Sequence, residues 1–338
     1  MQNVFPFQTL RAVVGGASAI DVGRLHVEDH DDAERFLAAY GYRWDDPEER
    51  EELEYLRTTA IAFVRDVLLE PGEAIPEATV AVTDVRELLL AVSSDTPDPW
   101  ACGLLRVMHT LAHAESDFTD SFAEQIEAQI LGRFEKWIRE DAAGLRLGDV
   151  PLVRYESRAR KELHSLVLKL LHKPENVAAD IFDRLGVRFV TRNRLDALLV
   201  VRFLRVNNVI MFANVKPSRS KNTLVDLARL EAAIPDAADM PSLAAEMEGW
   251  AYPDAGGDPS NPYSAKAYHA IQFTGRQRVR VSNASGEVYR FFFPFEVQVL
   301  DEASWLESRK GWASHADYKE RQRQAARRRV LGGALGVR

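Results

Sequence analysis

Residues 287–300 read EVYRFFFPFEVQVL, and this stretch decides how the second half of the chain folds. Aromatic and β-branched residues dominate it, which predicts a β-strand. Because side chains alternate between the two faces of a strand, Glu296 and Gln298 should share one face. The apolar flanks predict a buried strand, and an acidic side chain on a buried strand needs a reason. A bound metal ion or a catalytic proton would supply it.

Further short β-rich runs accompany this strand after Gly148. They are VRFVT (187–191), VIMFANV (209–215), AYHAIQFTG (267–275) and QRVRVSN (277–283). The apolar spacing of LDALLVVRFL predicts a helix between the first two runs, and a final helix should carry residues 303–329 and end at Gly332-Gly333. Alternating strands and helices predict a mixed α/β arrangement.

The first part of the chain has a different pattern. From Asp31 to about Asp149 apolar residues recur at helical spacing, as in EELEYLRTTAIAFVRDVLL and FAEQIEAQILGRFEKWIRE. We therefore expect an α+β protein, with an all-helical N-terminal domain of regulatory or structural role over residues 1–148 and a mixed-sheet domain over residues 149–330. Residues 223–262, with Pro, Gly, Asp and Ser clusters in their second half, are expected to form an insertion or lid and not core.

Bulk properties limit the class of protein. The chain has 338 residues, of which 46% are hydrophobic, and a formal net charge of −8. No apolar run approaches the roughly 20 residues that span a bilayer, so we expect a cytoplasmic protein without a membrane partner. The single cysteine, Cys102, excludes an intrachain disulfide. Residues 151–230 hold 16 Lys and Arg against 7 Asp and Glu, a local basic excess that suits a polyphosphate ligand.

The first group of candidate residues lies at the start of the second half. Arg158, Arg160 and Lys161 are followed by Ser165 and Lys169, all within a helical pattern. Residues four apart project from one helix face, so Lys161, Ser165 and Lys169 form a strip of two cations and a hydroxyl that can hold a triphosphate. Taken alone, the strip is more often a solvated basic face.

Two further groups of residues are also compatible with either a functional or a purely structural role when each is considered alone. Asp183 precedes Arg188 by five residues, which offers a carboxylate for Mg²⁺ and an arginine for a phosphate. Residues 311–319, GWASHADYK, place His315, Tyr318 and Lys319 within one helical turn. In isolation, the first group is more often an exposed Asp at a helix end with a salt-bridged Arg. The second group is more often a capped surface helix.

Together these groups resemble the RelA/SpoT family of alarmone synthetases. The ATP-side signature of that family is similar to Lys161, Ser165 and Lys169, with Arg158 or Arg160 in place of its first arginine. Its D-x-x-G-[IV]-R motif matches Asp183 to Arg188, and its E-[IV]-Q-[IV] strand matches Glu296 to Val299. The family's G-x-x-A-H-x-x-Y-K ending is similar to residues 311–319, with Ser314 replacing an alanine.

The acceptor side departs from the family pattern. The family stacks its acceptor base on the tyrosine of N-G-Y-x-S-L-H, and the counterpart here is Lys266-Ala-Tyr268-His-Ala-Ile-Gln272. Tyr268 is kept, while Lys266 stands for the Asn and Gln272 for the His; Tyr263 offers a competing alignment. The basic loop that precedes this motif in the family is represented by Lys216, Arg219 and Lys221.

The resemblance implies a nucleotidyltransferase-like fold and the transfer of the β,γ-pyrophosphate of ATP to the ribose 3′-hydroxyl of a purine nucleotide. Asp183 and Glu296 would hold Mg²⁺, and Glu296 would orient or deprotonate the acceptor hydroxyl. Arg158, Arg160, Lys161, Ser165, Lys169 and Arg188 would bind ATP. The acceptor would contact a larger set of residues, namely Lys216, Arg219, Lys221, Lys266, Tyr268, Gln272, Gln298, His315 and Lys319.

Several alternatives stay open at this point. A toxin-like member would use the 3′ end of tRNA as its acceptor. The basic tail at residues 321–329 favours this alternative, because Lys and Arg clusters bind phosphate backbones. A catalytically idle nucleotide sensor and an unrelated binding protein are the others, and the sequence leaves a homo-oligomer open. Many long family members carry an N-terminal metal-dependent hydrolase whose ligands include an HD pair and a later helical ED motif. His30-Asp31 is an HD pair, but no ED motif follows it at the required distance. His109 and His113 are expected to be hydrogen-bonded core or interface histidines and not a metal site.

Overall fold

The structure is a computed structural model that describes residues 18–21, 25–114, 121–142, 144–158, 163–172, 185–253, 269–309 and 315–336. The chain divides into two compact units. We call residues 1–116, 162–178 and 319–338 the helical unit, and residues 117–161 and 179–318 the sheet unit. Residues 148 and 149, where the domain boundary is expected, both lie in the sheet unit.

The helical unit is built from amphipathic helices that begin at recognisable caps. Its described helices are α1 (His30–Tyr40), α2 (Pro47–Phe63), α3 (Glu77–Val80), α4 (Val85–Ser93), α5 (Pro99–Ala114), α7 (Leu163–His172) and most of α12 (His315–Leu335). Asp29, Asp46 and Asp84 cap α1, α2 and α4, because each carboxylate accepts a hydrogen bond from a backbone N–H of the first turn. Gly103 of α5 lies against Leu331 and Val330 of α12, so a larger side chain there would collide with the last helix.

The sheet unit contains a small and a large sheet. The small one is antiparallel, in the order β1 (Ile138–Asp141), β2 (Gly144–Leu147) and β3 (Val150–Pro151). The large one has five strands in the order β4 (Arg154–Arg158), β5 (Gly186–Thr191), β8 (Val288–Asp301), β7 (Ile271–Ser282) and β6 (Lys221–Asn222). Only the β5–β8 pair is parallel; the others are antiparallel.

One face of the large sheet forms the core. On this face Phe189, Val297 and Val299 are fully buried. The helices of this unit are α6 (Ala123–Glu135), α8 (Arg194–Val206), α9 (Leu227–Ala233), α10 (Met240–Glu248) and α11 (Glu302–Glu307). The apolar residues of α6 and α8 belong to the same core cluster. The opposite, even-numbered face is therefore left for polar side chains.

The mixed composition of helix and sheet confirms the α+β class, but several predicted elements are wrong in detail. The helical pattern ends at Glu135, and residues 138–141 form β1 because Gly144 and Gly148 adopt positive φ angles of 103° and 56° that turn the chain back on itself. Arg158 ends β4 and does not lie on a helix, since α7 begins at Leu163. The runs 267–275 and 277–283 meet in one strand, β7.

Three further expectations are corrected by packing. The run 209–215 is not a strand: Val209 and Ile210 are buried, but the chain then turns into a 3-10 helix at residues 212–214. Leu243, Met247 and Trp250, in the stretch expected to be a lid, belong to the core. The final helix is divided into α11, which Asp301 caps, and α12, which runs through Gly332-Gly333 to Leu335.

Among the residues that the structure describes, no helix has the length and apolar composition needed to cross a membrane.

Candidate active site

Polar side chains form a continuous row across the five strands of the large sheet. The ladder places Lys221 beside Gln272, Gln272 beside Gln298, Gln298 beside Arg188, and Arg188 beside Glu156. A second row, one step along the strands, contains Arg158, Gly186, Glu296 and Thr274. Both rows lie on the face opposite the core, because residues two apart on a strand share a face.

Glu296 lies at the centre of these rows and is held by two amides. Gln298 Nε2 donates to Glu296 Oε2 at 2.8 Å, and Gln272 Nε2 donates to Glu296 Oε1. The residue is only 9% exposed. A buried carboxylate is costly unless hydrogen bonds replace the water it has lost, and each oxygen here has such a bond. The carboxylate is thus fixed in orientation, as a group that accepts a proton from a bound hydroxyl must be.

Arg188 extends the network to the neighbouring strands. Its Nε and Nη2 donate to Gln298 Oε1 at 3.0 and 2.8 Å, and its Nη1 donates to Glu156 Oε2 at 3.2 Å. These bonds also fix the Gln298 amide, because its oxygen must face Arg188 and its nitrogen must face Glu296. Arg154 completes the chain by pairing with Glu156 at 2.6 Å.

Arg158 approaches Glu296 across a glycine. Its Nη2 lies 4.0 Å from Glu296 Oε2, and between the two residues in the ladder stands Gly186. A Cβ at Gly186 would meet the Arg158 guanidinium at 3.7 Å and the Glu296 Cβ at 3.8 Å. An alanine would therefore fit in ordinary contact, while a longer side chain would displace the guanidinium.

The predicted basic loop runs along the edge of the same sheet. Lys216 donates its backbone N–H to Thr274 O at 2.9 Å, and Lys221 pairs with Gln272 in β6. Burial lowers the pKa of the Lys221 ammonium, and the charge of Arg219 lowers it further. The structure thus brings Lys216, Arg219 and Lys221 beside the strand that carries Gln272.

Other candidate residues are placed elsewhere or are not described. Ser165 and Lys169 lie one turn apart on α7, in the helical unit. Lys319 is exposed on α12, and only the backbone of His315 is described. A further set lies outside the described residues: Arg160, Lys161, Asp183, Lys266 and Tyr268.

Two residues of the site were missed at the sequence level. Glu156 binds Arg188, and Thr274, which is 5% exposed, stands beside Glu296 in the ladder. Alternation along RYESR places Glu156 on the same face as Arg154 and Arg158, and this was the available signal. It was obscured because the helical pattern was taken to include Arg158.

The described carboxylates of the polar face could supply part of a Mg²⁺ site. Within the described ranges, no group of three or more His, Cys, Asp or Glu side chains could hold a metal ion. Mg²⁺, however, takes one or two carboxylates and completes its octahedron with water and substrate phosphates. Glu296, whose two oxygens each accept an amide N–H, could supply one such carboxylate. Asp183, the second predicted ligand, lies outside the described residues.

The predicted histidine pair lies at an apolar cavity of the helical unit. The rings of His109 and His113 are 4.5 Å apart, and the Tyr40 hydroxyl is 2.6 Å from His109 Nδ1. Burial, and then the charge of His113, lower the pKa of His109 to about 4, while burial raises the pKa of Tyr40 to about 12. Both groups are therefore neutral at pH 7, and one hydrogen bond joins them. The cavity, of about 220 Å³, is lined mainly by aliphatic and aromatic side chains.

The basic tail is largely engaged in ion pairs. Within the helical unit Arg323 pairs with Glu70 and Glu320, Arg327 with Glu73, and Arg329 with Asp21. Arg327 is 7% exposed. These ion pairs contribute to the packing of α12 within the helical unit.

No protein-family model and no curated protein matches this chain. Solved structures do match it. The small alarmone synthetase 1 from Bacillus subtilis has 12% identity and a TM-score of 0.30, over 65% of this chain and 92% of that chain. The same protein bound to pppGpp has 14% identity and a TM-score of 0.31, over 65% and 92%. A GTP pyrophosphokinase family protein from Streptococcus pneumoniae has 13% identity and a TM-score of 0.30, over 66% and 91%.

These matched proteins are alarmone synthetases and pyrophosphokinases, the class that the motifs of this chain resemble.

Proposed function

We propose that this chain is an ATP-dependent pyrophosphokinase that uses the polar face of the large sheet as its active site. The observation that carries the proposal is the Glu296 carboxylate, nearly buried and held by Gln272 and Gln298, with Arg158 4.0 Å away and Arg188 bound to Gln298. Two guanidinium groups beside an oriented carboxylate suit a site that binds a polyphosphate and takes a proton from a hydroxyl.

In the proposed reaction the 3′-hydroxyl oxygen of an acceptor ribose attacks the β-phosphorus of ATP. The bond from that phosphorus to the α,β-bridging oxygen breaks, and AMP leaves with the electron pair. Glu296 takes the hydroxyl proton, and Arg158 and Arg188 stabilise the charge on the transferred pyrophosphate. Mg²⁺, when bound through Glu296 and Asp183, would neutralise phosphate charge. Ser165 and Lys169 remain proposed ATP contacts.

The acceptor side of the proposal rests on the sequence and on Gln272. Tyr268 is proposed to stack the acceptor base, which fixes its position without selecting its identity. Gln272 replaces the histidine of the family motif and is committed to Glu296 by a hydrogen bond. An amide in that position cannot change its charge with pH. Because Lys266 and Gln272 replace the Asn and His of the family motif beside Tyr268, we propose an acceptor preference that differs from that of guanosine-specific synthetases, or is broader.

The test is a transfer assay with ATP labelled at the γ-phosphate, Mg²⁺ and one acceptor at a time: GDP, GTP, AMP, ATP or bulk tRNA. A mononucleotide should become labelled, and labelled tRNA alone would favour the tRNA-modifying alternative. Glu296→Gln should abolish transfer, whereas Glu302→Gln, an exposed glutamate just beyond the same strand, should not. An inert wild-type protein would refute the activity, and near-normal turnover in Glu296→Gln would refute the site.

A further inference from the structure

The distal half of the β7–β8 hairpin carries a row of arginines on one face. Arg276, Arg278 and Arg280 of β7 and Arg290 of β8 are all exposed. They alternate with the buried Val279 and Val281, which belong to the core on the other face. Successive members on β7 are roughly 7 Å apart, because a strand rises about 3.4 Å per residue. We call these four residues the arginine face.

Two arginines of this face lie directly opposite each other. The ladder pairs Arg280 with Arg290. Like charges at paired positions destabilise a hairpin. In the described residues, no member of the arginine face forms an ion pair. The small sheet offers a contrast, since Arg139 also pairs with Arg146 but Asp141 neutralises the latter. With no counter-charge among the described residues, this arrangement suits an external anion.

An exposed aromatic ring lies within the arginine face. Phe292 is 44% exposed, stands opposite Arg278 in the ladder, and has the Arg276 guanidinium 5.5 Å from its ring centre. Arginines bind phosphates through paired N–H donors, and an aromatic ring stacks an unpaired base. The protein as a whole has a net charge of −8, so this cationic face is local.

The arginine face is continuous with the polar face of the candidate site. The register is regular along the hairpin, so Arg276, Phe292 and Arg290 share the sheet face of Glu296. Glu296 lies six positions after Arg290, which corresponds to about 20 Å along the strand. A single strand of nucleic acid that followed the hairpin would therefore have one end directed towards Glu296.

From these observations we infer that the arginine face binds single-stranded nucleic acid, with phosphates on the guanidinium groups and a base on Phe292. An unpaired strand fits better than a duplex, because paired bases cannot stack on Phe292. An anionic membrane fits less well, because a single exposed phenylalanine offers little apolar area for insertion. The inference concerns binding and does not require the proposed transfer reaction.

The experiment measures the fluorescence anisotropy of a labelled single-stranded RNA of about 12 nucleotides, within the range of known site sizes. The first variant combines Arg278→Gln, Arg280→Gln and Arg290→Gln. The matched control combines Arg139→Gln, Arg202→Gln and Arg205→Gln, three exposed arginines of the sheet unit that lie off this face. Both variants change the net charge equally, so nonspecific attraction is controlled.

We expect the first variant to bind at least about ten times more weakly and the control to bind like the wild type. Each phosphate contact on a single strand contributes about 0.7 to the slope of log K against log salt, so the first variant should lose roughly 2 from that slope. Phe292→Ala should weaken binding roughly tenfold without changing the slope. Arg290→Gln alone should raise the thermal unfolding midpoint, because it removes the opposed pair.

Several results would overturn the inference. Equal loss in both triple variants would show general charge attraction only. A duplex bound as tightly as the single strand would exclude the stacking role of Phe292. Vesicles of phosphatidylglycerol bound with the same arginine dependence would indicate a membrane surface, and arginine-dependent dimerisation at low salt would indicate a second copy of the chain. A single-stranded DNA of equal length would show whether the 2′-hydroxyl contributes.

Discussion

Replacing Gln298 with methionine should disconnect Glu296 from Arg188. Gln298→Met keeps the length and approximate volume of the side chain but removes three hydrogen bonds, one to the Glu296 carboxylate and two from the Arg188 guanidinium. A hydrogen bond to a charged group contributes about 1.5–3 kcal/mol. The Glu296 side chain is only 12% exposed, so water cannot readily replace its lost donor, whereas the Arg188 side chain is 35% exposed and can be rehydrated. The expected loss in unfolding free energy is therefore about 2–4 kcal/mol, mostly from Glu296.

The assay has a stability and an activity readout. Urea unfolding, followed by the fluorescence of the sheet-unit tryptophans, should show the lower midpoint. Transfer from labelled ATP should fall by roughly 10- to 100-fold in kcat, because a misoriented base loses part of its contribution. Gln125→Met is the control: Gln125 makes two hydrogen bonds to the backbone of Ser282, far along the hairpin, so its loss should affect stability only. Unchanged kcat in Gln298→Met would refute the idea that this network orients a catalytic Glu296.

Two further predictions concern the helical unit. Lys169→Ala should raise the KM for ATP with little change in thermal stability, because Lys169 is proposed to contact ATP phosphates. Unaltered ATP kinetics would indicate that the basic face of α7 is solvated and does not bind ATP. The pKa of His109 is about 4 in the folded protein, below its ordinary 6.5, so between these pH values the unfolded state binds a proton that the folded state does not. The unfolding free energy should then fall as the pH decreases from about 6.5 to 4, by at most roughly 1.4 kcal/mol per pH unit, and His109→Gln should flatten this slope in urea titrations. An identical slope in the variant would exclude His109 as its source.

Local periodicity predicted the parts of this fold that depend on near neighbours. The strand that carries Glu296 and Gln298 was predicted from its aromatic and β-branched residues, and their placement on one face follows from the two-residue repeat of a strand. The helices of residues 30–114 follow from apolar residues at helical spacing and from aspartate caps. Each of these signals lies within about ten residues of chain.

The same reasoning failed where a local pattern was compatible with two structures. Residues 158–169 look helical as one segment, yet Arg158 pairs in β4 and the described helix starts at Leu163. The run 209–215 looks like a strand but has no ladder partner among the described residues, and its first residues are buried instead by the core. Tertiary packing decides such cases, because a short apolar run can be buried in either form.

The sequence by itself determined that a carboxylate and an amide share one face of a buried strand, and that basic residues are concentrated in residues 151–230. Only the tertiary structure decided which side chains meet them. Arg188 is 110 residues from Gln298, and Gln272 is 24 residues from Glu296, yet the register of β5, β7 and β8 brings all four into one hydrogen-bonded network. The physical reason is that side-chain alternation is a property of one strand, whereas register is set by pairing between distant segments, and a shift of one residue would turn Arg188 to the core face.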